Sequence, residues 1–441
     1  MKKTISAFLI LFFVSVSAFA AGWEGVKEHA LDNGLKVLLL EEHKAPVATF
    51  QIWYRVGSRN ERPGNTGMSH LLEHMMFKGS KKYGPKSFSQ TVKKNGGNDN
   101  AFTSKDYTAY FEIFSSDRIW LSLDLESDRM RGLLFDPKEF NSEREVVKEE
   151  RRLNHEDDPE AAMFEKMMEV AFLNHPYRIP TIGWMNDLTN MKLEDLTAHY
   201  NSFYAPDNAT IVVVGDFDSG KMLSEIKKYF GGIPKGTERP EVTVVEPEQK
   251  GERRLILKKE AELPGVIAGY HVPDLEAEDS YPLAVLELIL SGGKSSRLYK
   301  ALIYEKQIAL YAGGDYSMVS TDPNMFYLYA AAMPGKAVED VEKALYTEIE
   351  RFKMEPVTEK ELTKAKNQIE ASFIMGQDSN FNRAMLLGQY ESVASWKLLD
   401  KYVDGIRKVK AEDVMRVAKR YFTEDNRTVG MLVPVKEKKD M

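Results

Sequence analysis

The residues most suited to chemistry in this 441-residue chain lie in the segment His70-Leu71-Leu72-Glu73-His74. Two histidines enclose a glutamate, and the segment lies between Gly67 and Gly79, which predicts a short helix. Residues i, i+3 and i+4 share one face of a helix, so both imidazoles could bind one metal ion with Glu73 beside them. The open alternative is a pair of core histidines hydrogen bonded to the backbone, because so short a pattern also occurs by chance.

A third metal ligand would decide between these alternatives, since hydrolytic zinc usually has three protein ligands. Residues 143–154 form an acidic run in which Glu143 and Glu150 are two helical turns apart and share the predicted apolar face. That face is defined by three residues, Val146, Val147 and Leu153. A solvated acidic helix explains the other glutamates of the run better than it explains these two. Both therefore remain candidate ligands.

The composition limits which metal site is possible. The chain contains no cysteine, which excludes disulfides, thiol catalysis and thiolate zinc sites, so any metal must be held by His, Asp and Glu. With 43% hydrophobic and 29% charged residues the chain has ordinary globular composition. Its formal charge of −7 argues against a nucleic-acid partner bound through bulk electrostatics.

The N-terminus has the pattern of an export signal. Lys2 and Lys3 precede an apolar run from residue 5 to residue 16, and Ala18-Phe19-Ala20 follows as a cleavage site. A transmembrane anchor is the alternative, but it needs about 20 apolar residues. We therefore expect residues 1–20 to be a cleaved signal peptide and the mature protein, which has no other membrane-spanning segment, to be periplasmic.

An internal repeat predicts the domain organisation. Residues 192–214 recur at 410–432 without a gap, with six of 23 positions identical, and both copies read as a helix, an Asp-Asn turn and a strand. Two homologous halves follow, at residues 21–235 and 253–441, joined by a Pro- and Gly-rich linker at 236–252. Each half is expected to be α+β, a mainly antiparallel sheet with helices packed on one face.

Taken together, these features resemble the pitrilysin-like metallopeptidases of family M16, and more narrowly the branch of mitochondrial processing peptidase and its bacterial relatives. The resemblance rests on the His-x-x-Glu-His motif followed by a glutamate 76 residues after its second histidine. It extends over the whole mature chain through three further matching segments, Asn98–Thr108, Asn174–Trp184 and Ser291–Tyr299. The two-domain repeat is also a property of that family.

The resemblance implies a zinc site and a role for each polar residue around it. His70, His74 and Glu150 would ligate one zinc ion, which lowers the pKa of a bound water towards 7. Glu73 would be the general base that takes the proton from this water and later protonates the leaving amine. Glu143 would orient a histidine ligand or assist catalysis.

The resemblance also implies a substrate-binding strand. Asn100 and Ala101 would lie on a strand that pairs with the extended backbone of the substrate, which gives affinity with loose sequence preference. The alternative is that Asn100 merely ends a turn after Gly96 and Gly97.

One segment departs from the family pattern. Members that are active alone or as homodimers carry an Arg and a Tyr in their second half, in a context resembling Leu-Arg-Glu-x-x-Gly-Leu-Ala-Tyr, which help to hold the substrate carbonyl. Here Ile303 and Leu310 stand in those places, and Tyr311 comes one residue late, which on a regular strand means the opposite face. We therefore expect a heterodimer in which a homologous partner without the zinc motif supplies both side chains, with a homodimer as the alternative.

The function expected from these residues is zinc-dependent endopeptidase activity on peptides or unfolded polypeptides. Two alternatives remain open. One is a non-catalytic assembly or peptide-binding subunit of the same family, which would not need to keep His70, Glu73, His74 and Glu150. The other is a dedicated maturase for a peptide-derived cofactor.

Overall fold

The computed structural model describes residues 23–435. The predicted signal peptide, residues 1–20, lies outside the described residues, so its assignment stays a prediction. Within residues 23–435, no helix combines the length and the hydropathy needed to cross a membrane.

The first half forms a mixed sheet that is antiparallel except at one place. Its strands are β1 Lys27–Ala30, β2 Lys36–Glu41, β3 Val47–Tyr54, β4 Asn98–Thr103, β5 Thr108–Ser115 and β6 Ala209–Gly215. Their order is β1-β2-β6-β3-β5-β4, with β2 and β6 parallel. The strand β4 therefore lies at one edge of this sheet, paired with β5 alone.

The second half repeats this arrangement. Its strands are β7 Arg253–Lys259, β8 Gly265–Val272, β9 Ala309–Asp315, β10 Asn324–Ala332 and β11 Arg427–Pro434. They are ordered β7-β11-β8-β10-β9, again with one parallel pair, β7 and β11. The prediction of two homologous α+β halves with mainly antiparallel sheets is confirmed. We retain the boundaries 21–235, 236–252 and 253–441 as a proposal.

Helices occupy most of the remaining chain. In the first half they are α1 Met68–Met75, α2 Ser87–Lys94, α3 Trp120–Gly132, α4 Pro137–Arg151, α5 Pro159–Ala171, α6 Met185–Asn190, α7 Leu193–Phe203 and α8 Ser219–Phe230. In the second half they are α9 Ser280–Ser291, α10 Val338–Met354, α11 Glu359–Gly376, α12 Asn380–Val393, α13 Leu399–Lys408 and α14 Ala411–Tyr421. The repeat corresponds to α7 with β6 and to α14 with β11, so the predicted helix, turn and strand are present in both copies.

Each sheet packs its own helices on one face and one helix of the other half on the opposite face. In the first sheet, Leu387 of α12 packs on the face that carries Trp53 and Val212. In the second sheet, Met167 of α5 packs against Ile267. This exchange buries both faces of the central strands of each sheet, such as β6 and β8, so the two halves form one interlocked unit.

The closest approach in this exchange is made by Gly388 of α12. A Cβ at this position would lie 2.1 Å from an atom of the fully buried Trp53 ring. Only glycine lets the helix backbone come so near to the indole.

We expect Gly388→Ala to lower the free energy of unfolding by about 1–3 kcal/mol, because the added methyl group overpacks the contact with Trp53. Thermal and urea unfolding followed by circular dichroism measure this. The matched control is Gly376→Ala, at the last residue of α11, where a Cβ would meet no atom within 4 Å. An unchanged midpoint for Gly388→Ala would contradict the described packing of α12.

Candidate metal centre

The helix α1 carries the motif, and a buried carboxylate holds its first turn. Gly67 precedes the helix with φ +83°, and a Cβ there would lie 2.5 Å from the carbonyl oxygen of Ile182. Glu61 accepts hydrogen bonds from the backbone N–H groups of Gly67 and Ser69, both at 2.7 Å. Glu61 thus binds N–H groups that have no partner within the helix. Burial raises the pKa of Glu61 to about 7, although both hydrogen bonds favour the ionised form.

The prediction of a short helix that carries both histidines is confirmed. Leu71, Leu72 and Met75 are fully buried in the core of the first half. The side chains of His70 and His74 keep 15% and 22% of their surface exposed, so solvent can reach both rings. Spacing alone produces this separation, because the apolar and the ionisable residues are out of phase along the helix.

The helix α4 supplies the acidic residues. It begins at Asp136, whose carboxylate accepts from the N–H groups of Lys138 and Glu139, with Pro137 as first residue. Glu143 and Val147 are buried on the side that packs on α1, and Glu150 follows one turn later with 36% of its side chain exposed.

The predicted apolar face of this helix was partly wrong. Val147 is buried, but Val146 is 47% exposed and Leu153 is 60% exposed. Val146 is rotated by about 100° from Val147 around the helix axis. Leu153 lies in a π-helical turn, Arg152–Glu156, which follows α4 and breaks its periodicity.

Glu150 meets both histidines. Its Oε2 lies 3.9 Å from His70 Nε2 and 3.6 Å from His74 Nε2. One ligand atom from each of the three residues lies within 4.8 Å of the others. Two atoms bound to one zinc at about 2.1 Å are at most about 4.2 Å apart, so both measured distances suit a shared ion. Two imidazoles and one carboxylate also form the donor set of hydrolytic zinc sites.

Glu143 contacts the other side of His74. Its Oε2 lies 3.2 Å from His74 Nδ1, and its Oε1 lies 2.5 Å from Lys78 Nζ. Burial raises the pKa of Glu143, but the hydrogen bonds with His74 and Lys78 outweigh it and hold that pKa below the usual value. A proton held on Nδ1 by this carboxylate leaves the Nε2 lone pair directed towards Glu150. The geometry thus groups Glu150 with the histidines and sets Glu143 behind one of them.

His70 is kept neutral by burial. Burial lowers its pKa to about 3, so the imidazole carries no charge at neutral pH and its nitrogen can bind a metal. Its Nδ1 is buried and, within residues 23–435, has no hydrogen-bond partner. The fit of the donor set to zinc therefore rests on Nε2 of both rings and on Glu150.

Glu73 lies beside the cluster rather than in it. Its Oε2 accepts a 2.6 Å hydrogen bond from the hydroxyl of Thr103 at the end of β4. Burial raises the pKa of the Glu73 carboxyl, against the opposing effects of Thr103 and of the charge on His74. A carboxylate with a raised pKa can take up a proton and return it near neutral pH.

Asn100 and Ala101 lie on the edge strand β4. Because β4 begins at Asn98, the alternative in which Asn100 ends a turn is wrong. The side chain of Asn100 is exposed, and its Oδ1 accepts from the N–H of Ala101 at 2.9 Å.

Two contacts of the site were missed by reasoning from the sequence. Lys78 lies three residues beyond the end of α1, so helical spacing does not indicate its approach to Glu143. Thr103 belongs to the segment that matches the family's Asn-Ala-x-Thr strand, but nothing in its spacing indicates Glu73 as its partner.

In the second half, the expectation for Tyr311 must be corrected. Tyr311 pairs with Ala331 and Ala309 with Ala332, so Leu310 is the extra residue of a β-bulge. Ala309 lies in the core of the second half, whereas the Tyr311 hydroxyl bonds Glu160 of α5 on the opposite face. Because of this bulge, successive side chains do not alternate regularly between the two faces of the sheet. The position of Tyr311 in the sequence therefore does not determine the face on which its side chain lies. Ile303 packs against the same core as Ala309, as an aliphatic residue should.

Family models match both halves of the chain. Residues 36–183 match the model described as insulinase, peptidase family M16, and residues 190–369 match the peptidase M16 inactive domain. The His70–His74 motif and Glu150 lie in the first of these ranges.

Individual relatives agree with this result. The zinc protease PqqE of Helicobacter pylori is 34% identical over 408 residues, which cover 92% of each chain. The crystal structure of a protease from Helicobacter pylori is 33% identical with a TM-score of 0.90, covering 93% of this chain and 99% of that one. The periplasmic protease PqqL from Escherichia coli is 18% identical with a TM-score of 0.77, covering 94% of this chain but 48% of that one. At that identity the likeness shows the fold alone.

We expect Glu143→Gln to weaken zinc binding by about 10- to 100-fold, because the amide cannot hold a proton on His74 Nδ1 as a carboxylate does. Competition with a zinc-specific chelator measures the affinity. Glu145→Gln is the matched control, since Glu145 lies on the same helix with 58% of its side chain exposed. Equal affinities for both variants would contradict the role given to Glu143.

Proposed function

The chain belongs to peptidase family M16, and from this premise we propose that it is a zinc-dependent endopeptidase acting on peptides or unfolded polypeptides. The observation that carries the proposal is the grouping of His70, His74 and Glu150 within 4.8 Å, with the Glu73 carboxylate beside them. The names of the relatives, among them the zinc protease PqqE, support zinc as the metal.

Zinc, when bound by these three residues, supplies a Lewis acid that acidifies a water molecule and polarises a peptide carbonyl. Glu73 takes the proton of the attacking water as the new C–O bond forms. It then gives that proton to the amide nitrogen as the C–N bond breaks, so that the amine leaves neutral. The raised pKa of Glu73 suits both directions of this transfer.

Glu143 acts on His74 and not on the substrate. Its hydrogen bond to Nδ1 fixes the tautomer and the orientation of the ring, and Lys78 keeps the carboxylate in place from the other side. A misplaced imidazole would weaken the metal site, so this pair contributes to catalysis through the metal.

The strand β4 is proposed to bind the substrate. Its free edge, on the stretch that contains Asn100 and Ala101, offers the backbone N–H and C=O groups of alternate residues to an extended peptide. A segment can pair in this way only if its own backbone groups are free. Folded proteins already pair these groups, which is why we propose short or unfolded polypeptides as substrates.

The second half points to a partner. The aliphatic Ile303 cannot donate a hydrogen bond to the developing oxyanion, and such donors contribute much of the rate in acyl transfer. We therefore propose that this chain is the zinc-bearing subunit of a heterodimer with a homologous chain. The single chain of PqqL is about twice as long as the part that this chain matches, which supports a pair of such units. A homodimer, in which Tyr311 serves as the donor, is the alternative.

The proposed location is the periplasm, reached through the signal peptide at residues 1–20. Its support is the charged start, the apolar run and the small residues before the expected cleavage site.

We expect Glu73→Gln to reduce cleavage of an unstructured peptide by about 100- to 10,000-fold, because the amide cannot accept the proton of water. Zinc content should stay at the wild-type level, since Glu73 is not among the three ligands. Peptide cleavage and metal analysis on the same preparation measure both. Glu149→Gln, an exposed glutamate of α4, is the control and should behave as wild type. Full activity of Glu73→Gln would refute the assigned base.

We expect the isolated chain to cleave the same peptide about 100-fold or more slowly than its native complex, because an oxyanion donor is missing. The complex can be isolated from the native periplasm with a tagged chain, and light scattering then gives its subunit composition. An active homodimer that loses activity with Tyr311→Phe would favour the alternative. A fully active monomer would contradict both.

A further inference from the structure

The proposed base has one partner on a neighbouring strand. Thr103, the last residue of β4, donates its hydroxyl proton to Glu73 Oε2 at 2.6 Å. The bond joins the helix that carries the metal motif to the strand proposed to bind substrate. A glutamate side chain has several freely rotating bonds, so a short hydrogen bond to a rigid strand restricts its conformations considerably.

The chain directly after Thr103 is held by the first half. The carbonyl oxygens of Ser104 and Lys105 accept from the N–H groups of Ser58 and Arg59, at 3.3 and 2.9 Å. The ammonium of Lys105 donates to the carbonyl oxygen of Ile179 at 3.1 Å. These bonds fix the loop of residues 104–107 between β4 and β5.

The same loop is also held by the second half. Asp106 accepts from the backbone N–H of Thr321 in the second half at 3.3 Å, and also from the hydroxyl of Tyr177 in the first half at 2.8 Å. The next residue, Asp322, pairs with Arg59 and lies 3.0 Å from His175 Nε2. We call this group of five side chains, Arg59, Asp106, His175, Tyr177 and Asp322, the interdomain clasp.

The clasp is well shielded from solvent. The side chains of Arg59, Asp106 and His175 are 15%, 7% and 4% exposed, and that of Asp322 is 26% exposed. Ion pairs so far removed from water are screened little, and removal of one partner leaves a charge without compensation. The position of the end of β4 therefore depends, through the clasp, on how the two halves are docked.

We propose that Thr103 is a positioning residue for the base Glu73 and that the interdomain clasp, through residues 104–106, holds Thr103 where it can do so. This inference rests on the proposed function, because it needs Glu73 to be the base. The Thr103 hydroxyl bonds Glu73, which is not one of the three proposed metal ligands, so Thr103 acts through Glu73. Glu73 is then correctly placed only when the second half is correctly docked on the first.

Thr103→Val removes the hydroxyl and keeps the shape of the side chain. In the native complex we expect kcat to fall about 10- to 100-fold, the loss of one hydrogen bond to a charged group. KM and zinc content should stay within about twofold of wild type, because neither the peptide-binding edge nor the metal ligands change. Thr103→Ser, which restores the hydroxyl, should recover most of kcat. A purely structural role would not show this recovery.

The clasp is tested by a double-mutant cycle. Asp322→Asn removes the charge that pairs with Arg59, and we expect it to lower kcat about 3- to 10-fold, with faster amide hydrogen exchange in residues 104–107. The double variant should have the same kcat as Thr103→Val alone, because both substitutions act through the hydrogen bond between Thr103 and Glu73. The control is Glu42→Gln, whose partner Arg383 also lies in the other half but does not touch this loop. Glu42→Gln should leave kcat unchanged.

The possible results distinguish the role of Thr103, the role of the clasp and the proposed function. Wild-type kcat in Thr103→Val beside an inactive Glu73→Gln would overturn the role of Thr103 and leave the proposed function intact. Additive effects in the cycle, or unchanged exchange in residues 104–107, would overturn the role of the clasp. If Thr103→Val does not fold, Thr103→Ala takes its place, with thermal unfolding as the check. An active Glu73→Gln would overturn the proposed function and this inference with it.

Discussion

The packing of α1 on α4 is the contact on which the rest of the structure depends. It brings ionisable side chains together in a half-buried place, where an isolated charge would be costly. Each is compensated by a neighbour: Glu143 by His74 and Lys78, and Glu73 by Thr103. His70 stays uncharged, and together with His74 and Glu150 it forms a donor set that a dication would complete. The polar residues on the packed faces of α1 and α4 therefore form one site.

The two sheets provide the rigid support for this helix pair. Their exchanged helices α5 and α12 cover the faces that the halves leave open, so neither half is a separate platform. The strand β4 lies at the edge of the first sheet and its last residue bonds Glu73, which places a free backbone edge beside the proposed base. A site built on a strand and two packed helices is held more precisely than one built on loops.

Much of this arrangement could be predicted from the spacing of residues within short segments of the sequence. The spacing from His70 to His74 fixes a shared helix face, and the repeated segments 192–214 and 410–432 correspond to the same helix and strand in both halves. Prediction failed where burial depends on distant chain segments. Val146 is apolar yet faces solvent, because α1 packs on the neighbouring face of α4. The bulge at Leu310 and the contact of Asp322 with Arg59 likewise depend on pairings that sequence spacing does not encode.

The proposed activity requires a single metal site between α1 and α4. Anomalous diffraction at the zinc edge, from crystals of the purified protein, locates the ion directly. We predict one peak about 2.1 Å from Nε2 of His70, from Nε2 of His74 and from a carboxylate oxygen of Glu150. A peak bound through Nδ1 of His74, or zinc held elsewhere with this cluster empty, would contradict the proposed metal site.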